Sequence, residues 1–166
     1  MSERPTLHLI CGKVASGKST LARSLAANPG TVLIQEDAWL KGLYADRLKT
    51  LSDFVDCSRK LRDTIEPHIV DLLSANLSVV LDFQANTIEA RRWMRHLFET
   101  AGCLHELHLI DVPDNVCKRR LRKRNASGTH EFQVSDEEFD RVSSYFQHPT
   151  ETEGFNIRLH TPDVSV

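Results

Sequence analysis

No apolar run in this sequence approaches 18 residues, and its opening stretch, MSERPTLHLIC, has no long apolar core behind a basic start. That pattern argues against a membrane span and a signal peptide, so the expected setting is the cytoplasm. Charge of one sign is lacking too. The 21 basic and 23 acidic residues leave a formal net charge of −2, which gives no general pull toward nucleic acid or anionic lipid. Cysteine is sparse and scattered. Cys11, Cys57, Cys103 and Cys117 make no C-x-x-C pair, and the expectation is four reduced thiols rather than a disulfide framework. The eight histidines invite a zinc reading that fails on geometry, and ordinary structural roles are expected for His105 and His108. His105 and His108 stand three apart in a run that reads as a strand, and that spacing sends them to opposite faces. Internal repeats, low-complexity linkers and the N-K-x-D sequence that would read guanine are all missing.

What the chain does have is alternation. Its 166 residues suffice for one domain spanning 1–166 with a core of its own. Short runs rich in Val, Ile and Leu recur at 6–11, 31–35, 78–83, 105–112 and 155–160. Helix-patterned stretches fall at 18–27, 53–75, 87–101, 113–125 and 135–147. Pro67 is expected to kink or divide the second, and Pro113 suits a first helical turn. Strands alternating with helices predict an α/β fold of three layers, with a five-stranded, mainly parallel sheet covered on both faces. Ligands of such sheets bind beyond the carboxyl ends of the strands.

The first strand end carries the strongest signal. Residues 12–19, GKVASGKS, fit G-x-x-x-x-G-K-[ST] between an apolar strand and a helix. Successive backbone N–H groups of such a turn form an anion nest, and the helix behind it adds its positive end. This places nucleotide phosphates on Gly12, Lys13, Val14, Ala15, Ser16, Gly17, Lys18, Ser19 and Thr20. Lys18 is expected to reach the β- and γ-phosphates, and the Ser19 hydroxyl to ligate Mg²⁺.

Two further strand ends are acidic. VVLDFQANT ends an apolar run in Asp82, the arrangement in which a carboxylate orients Mg²⁺; the plainer alternatives are a helix cap or a solvated turn. VLIQEDAW sets Asp37 just past the second strand. There a carboxylate could orient an acceptor hydroxyl and take its proton, with Glu36 as fallback and a cap for a helix beginning near Ala38 as the alternative.

With GKVASGKST, QEDAW, VVLDFQANT and the arginine-rich RRLRKRN all in view, the chain resembles the small P-loop kinases of the zeta-toxin, chloramphenicol-phosphotransferase and polynucleotide-kinase type. It is most similar to bacterial ATP-binding proteins often labelled AAA-domain. The resemblance spans nearly the whole chain. It implies ATP with Mg²⁺, phosphotransfer to a hydroxyl acceptor, and Asp37 as the base. It also implies an arginine-rich lid, in which an R-x-x-x-R pair closes over the nucleotide and steadies the transferring phosphoryl. Arg120 and Arg124 match that spacing, and Arg119 with Lys123 matches it in a shifted frame. The following NASGTH supplies a corner on which such a lid could move. Room for the second helical domain of AAA+ remodelling machines is lacking.

Residues 118–125, KRRLRKRN, also admit two other readings: a solvated charged face, or a nucleic-acid patch as in a polynucleotide 5′-kinase. Three function classes therefore stand: a small-molecule, nucleoside or sugar kinase, an ATP-binding regulatory module, and a polynucleotide kinase. No obligate protein partner is evident. In EARRWMRHLFE, Trp93 and Leu97 share a core face, while Arg91 or Arg92 faces either substrate or water. Arg59, Lys60 and Arg62 admit the same two readings, and Glu151 and Glu153 either cap or line the site. The tail HTPDVSV is too short for the further helix whose preceding loop often holds adenine.

Overall fold

The computed structural model describes residues 4–128 and 133–161. Five strands run β1 (Thr6–Cys11), β2 (Thr31–Gln35), β3 (Ser78–Gln84), β4 (Leu104–Ile110) and β5 (Ile157–His160). Six helices lie between them: α1 (Lys18–Ala26), α2 (Glu36–Tyr44), α3 (Leu51–Ser74), α4 (Ile88–Ala101), α5 (Asp114–Ser127) and α6 (Asp136–Ser143). Short 3₁₀ turns occupy Ala45–Arg47 and Glu151–Glu153. The sheet order is β2-β3-β1-β4-β5, and every pairing is parallel. This is the three-layer α/β arrangement expected from the alternating pattern.

Period-two alternation divides the sheet between two cores. Leu7, Leu9 and Cys11 of β1, with Leu81 and Phe83 of β3, face α3 and α4. Ile10, Val80 and Ile110 point the other way, against α1, α5 and α6. On α3 the buried residues Leu61, Ile65, Ile69 and Leu73 recur every four positions, one stripe laid on the sheet. Thr50 starts that helix as half of a capping box with Asp53, and Ser135 does the same for α6 with Glu138.

Pro67 does not divide α3, which runs unbroken from 51 to 74. Pro67 and Asp63, whose carbonyl loses its helical donor, are both exposed residues, while Ile65 and Ile69 hold the helix to the sheet on either side. Pro113 is the N-cap of α5 rather than a first-turn residue. The last expected helix ends early, at Ser143. The alternative of a helix beginning near Ala38 is close to what forms: α2 begins at Glu36, directly after β2. Asp37 is therefore a first-turn residue and not a cap. Asp82 likewise lies inside β3, and Thr87 caps the helix that follows. Thr129 and His130 of the expected lid corner, and residues 162–166 of the tail, lie outside the described residues.

Candidate functional site

At the carboxyl ends of β1, β2 and β3 lies a cavity of about 960 Å³. The loop between β1 and α1 forms its floor. Gly17, at φ 104°, turns that loop into the helix, and Ala15 also adopts a left-handed φ of 60°. Gly12 is needed for a different reason. A Cβ there would stand 2.6 Å from Ser16 Oγ and 3.3 Å from Ile110 Cβ, so only glycine allows the loop to fold this tightly.

Asn86, two residues beyond β3, fastens the start of this loop. Its Oδ1 accepts from the Gly12 N–H at 2.9 Å, and its Nδ2 donates to the Gly12 carbonyl at 2.9 Å. A side-chain amide thus replaces the backbone partner that the end of β1 lacks. No motif in the sequence points to Asn86; its only signal is an amide residue just past an acidic strand end.

Lys18 bends back over the loop and donates to the carbonyls of Gly12 and Lys13, each at 2.8 Å. Burial lowers its pKa, opposed first by the Asp82 carboxylate and, among weaker influences, by Asp37. Ser16 Oγ is buried and has no hydrogen-bond partner. A buried orphan hydroxyl is uncommon, and here it sits in a cradle of N–H groups suited to an anion.

Besides Glu36, two carboxylates face the cavity, Asp82 from β3 and Asp37 from the helix that follows β2. Gln35 and Asp82 are register partners across β2 and β3, and Gln35 Nε2 donates to Asp82 Oδ2 at 3.3 Å. Asp37 follows in the first turn of α2. Partial desolvation raises the Asp37 pKa, the Asp82 carboxylate raises it further, and Lys18 opposes both. Like charges turned toward one space repel, and a divalent cation would relieve that repulsion. The donor set of Ser19 hydroxyl and Asp82 carboxylate, all hard oxygen, fits Mg²⁺.

The opposite wall comes from α5. Arg120 Nη1 rests on the carbonyls of Ala15 and Ser16 at 3.3 and 3.2 Å, and Arg124 lines the same space with a buried Nε that has no partner. The frame of Arg119 and Lys123 does not reach the cavity. His160, at the end of β5, completes this side.

Of the expected site residues, the structure brings Val14, Ala15, Ser16, Gly17, Lys18, Ser19, Thr20, Asp37, Asp82, Arg120 and Arg124 around one cavity. Gly12 acts through its backbone. The Lys13 ammonium turns away to Asp114 at 2.6 Å, so Lys13 serves the loop through its backbone alone.

Glu36, the fallback base, also reaches the cavity wall, but its Oε1 accepts from Ser58 Oγ and lies 3.6 Å from Arg62 Nη2. Burial raises its pKa against both partners. Arg62 therefore does not line the cavity; part-exposed, it is turned to Glu36 and packs over the Trp93 ring, 5.4 Å from the centroid. Arg91 is wholly buried. It grips Glu153 through Nε and Nη2 at 2.7 and 3.0 Å and gives Nη1 to the Ala85 carbonyl at 2.8 Å. Glu153 also accepts from the Thr150 N–H, so this residue caps rather than lines the site.

His105 and His108 do face opposite sides. The first stacks on Phe98 of α4 with ring centroids 3.9 Å apart, and the second is buried on the other face. Burial, then the neighbouring His8 and His160 rings, pushes the His108 pKa down to about 4. The four cysteines are free, and burial lifts Cys11 to about 12, which leaves it an inert core thiol. Among the described residues no helix is long and apolar enough to cross a membrane.

Similar folds are known. A provisionally assigned kinase of Chloroflexus aurantiacus superposes with a TM-score of 0.76 at 17% identity, over 97% of this chain and 87% of that one. Kti12 of Chaetomium thermophilum, solved with ADP-AlF3, gives 0.70 at 14% identity, over 95% of this chain and 89% of the other. The APS kinase CysC of Mycobacterium tuberculosis, solved with AMPPNP and APS, gives 0.63 at 23% identity, over 98% and 91%. These likenesses establish the fold, that of the small P-loop kinases. No curated protein sequence is significantly similar to the chain. The model of the AAA domain family (AAA_33) matches residues 7–149, which covers the phosphate loop, both acidic strand ends and the arginine helix. The chain belongs to that family.

Proposed function

We propose that the protein is an ATP-dependent phosphotransferase that moves the γ-phosphoryl group to a hydroxyl of a small molecule, nucleoside or sugar. One observation carries this reading. A single cavity gathers a glycine-rich anion nest with its lysine, two carboxylates from adjacent strand ends, and two arginines from the facing helix. The Kti12 and APS kinase structures, which carry ADP-AlF3 and AMPPNP in this fold, support ATP as the donor.

In this reading the N–H groups of residues 13–18 and the positive end of α1 bind the phosphate chain. Lys18 exchanges its two carbonyl partners for phosphate oxygens. Ser19 and Asp82 would hold Mg²⁺, which would supply charge neutralisation to the phosphate chain. Asp37 orients the acceptor hydroxyl and takes its proton as the oxygen–phosphorus bond forms and the bond to ADP breaks. Its raised pKa makes it a stronger base than an ordinary aspartate. Arg120 and Arg124, the lid pair, stabilise the charge that spreads over the transferring group.

The polynucleotide reading is less favoured because α5 spends much of its positive charge internally. Lys118 pairs with Asp140 at 2.7 Å, and Arg122 pairs with Asp136, both on α6. Of the other four cations on α5, Arg120 and Arg124 face the cavity, a placement suited to one small ligand rather than to a strand.

The test is ADP release from Mg·ATP against pools of hydroxyl compounds, for wild type, Lys18→Ala and Asp37→Asn. A pool that stimulates the wild type, with the response lost in both variants while Asp37→Asn still binds ATP, supports the reading. No stimulation by any pool would favour a non-catalytic ATP-binding module.

A further inference from the structure

A second cluster lies on the α1/α5 face of the sheet, away from the phosphate loop. It spans three strands. His8 of β1 is the register partner of Glu106 on β4, and His108 stands two residues further along β4 on the same face. Three donor atoms converge there. His8 Nδ1 and His108 Nε2 are 3.0 Å apart, and Glu106 Oε2 lies 3.5 Å from the first and 3.6 Å from the second.

The 3.0 Å edge is a hydrogen bond between the two rings, which a cation would replace, whereas the carboxylate edges are longer. At 3.5–3.6 Å a carboxylate oxygen is too far from either ring nitrogen for an ordinary hydrogen bond. A tetrahedral zinc ion with bonds of about 2.0–2.2 Å holds its donor atoms about 3.3–3.6 Å apart. The two carboxylate edges match that span, and the 3.0 Å edge between the imidazoles would have to open by a few tenths of an ångström. The other carboxylate oxygen, Oε1, is taken by Arg158 at 2.8 and 3.1 Å, which fixes the Glu106 rotamer and turns Oε2 toward the imidazoles. Side-chain exposures of 15% for His8 and 21% for Glu106 leave the cluster reachable from solvent.

We propose that His8, Glu106 and His108 form a site for a divalent cation of the zinc class, with His160 as its outer-shell partner. Two imidazole nitrogens and one carboxylate suit zinc and its borderline neighbours, whereas magnesium and calcium favour oxygen alone. Three protein donors leave the fourth position to water. The tautomers are consistent. His8 ligates through Nδ1 with its proton on Nε2, and His108 ligates through Nε2 with its proton on Nδ1. That Nδ1–H then donates to His160 Nε2, 2.9 Å away. A ligating histidine that hands its second nitrogen to a fixed acceptor is the usual way a zinc site holds ring and tautomer. Because His160 lines the nucleotide cavity, the cation would orient one of that cavity's walls. The site itself stands whether or not the chain transfers phosphate.

The experiment is titration of Co²⁺, then competing Zn²⁺, into the chelator-stripped full chain without nucleotide, followed by visible absorption. One equivalent of Co²⁺ with the intense bands of a tetrahedral site is expected, displaced by Zn²⁺. His8→Ala and Glu106→Gln, both at part-exposed positions, should each weaken binding at least tenfold, and His160→Ala by roughly tenfold through the lost outer shell. Asp82→Asn should leave the spectrum unchanged, which separates this site from the carboxylates of the phosphate cavity. Absence of stoichiometric binding, or equal affinity in wild type, His8→Ala and Glu106→Gln, would overturn the site. Equal affinity in His160→Ala would overturn its outer-shell role.

Discussion

Helices α4 and α5 both carry runs of arginine, yet the two runs do opposite things. Arg91 on α4 is fully buried, and its Nε, Nη1 and Nη2 all have acceptors in Glu153 and the Ala85 carbonyl. Arg120 on α5 rests on two carbonyls at 3.2–3.3 Å, and Arg124 keeps a buried Nε with no partner. An arginine whose donors are all matched within the fold is a fastening. One that lies in a cavity with donors to spare is arranged for a ligand.

The sharpest way to break this contrast is Arg120→Ala. Loss of a cation that steadies a transferring phosphoryl costs about 10³-fold or more in kcat. Turnover should fall by that order while thermal unfolding moves little, since the side chain is tied to the fold by two long hydrogen bonds. A variant that keeps its turnover would place Arg120 among the fastenings.

Arg91→Ala should give the reverse result. Removing one partner of a buried ion pair destabilises by about 3–5 kcal/mol. For a chain of this size each kcal/mol shifts Tm by roughly 2–4 °C, so a fall of several degrees is readable by calorimetry. ATP affinity of the molecules that remain folded should be close to wild type. A loss of ATP affinity without a change in Tm would mean that Arg91 serves the site directly.

The same pair carries a pH signature. Its Arg91 hydrogen bonds, first among the causes, hold the Glu153 pKa below the ordinary value. A depressed carboxylate pKa contributes stability that is complete above the unfolded-state value, about 4.3, and is lost as pH falls through the folded-state value. Wild-type Tm should therefore drop on acidification below about pH 5, and Glu153→Gln should flatten part of that drop. Equal acid sensitivity in the two proteins would show that other carboxylates set the limb.

How much of this is legible in the sequence depends on how local the cause is. GKVASGKS is legible because the glycine-rich turn is made of consecutive residues, and the acids at 37 and 82 are legible as cavity residues because strand ends are visible as ends of apolar runs. Arg91 looks like Arg120 in sequence. Its burial depends on Glu153, 62 residues away, folding back in a 3₁₀ turn over the end of β3. Glu36 is similarly opaque, since Ser58 and Arg62 meet it only once α3 lies beside α2. The histidine cluster is hidden most completely. The spacing of His105 and His108 does separate them onto opposite faces, but the partner His108 meets is His8, 100 residues away, and only the parallel register of β1 and β4 joins them.

The smallest expected effect sharpens the comparison within α5 itself. Arg122 is two residues from Arg120, yet it points outward to Asp136 of α6, and both groups are in contact with water. Exposed pairs of this kind contribute little because solvent and salt screen them. Arg122→Ala should therefore leave kcat and Tm near wild type, beside the large loss expected for Arg120→Ala on the same helix. The variant also tests the strand-binding alternative, in which every cation on this surface contributes and affinity falls steeply with salt. Single-stranded oligonucleotide binding that is salt-dependent in the wild type and weakened by Arg122→Ala would move the function toward polynucleotide ends. Absence of such binding at low salt leaves the cavity-facing arginines as the ones that matter to substrate.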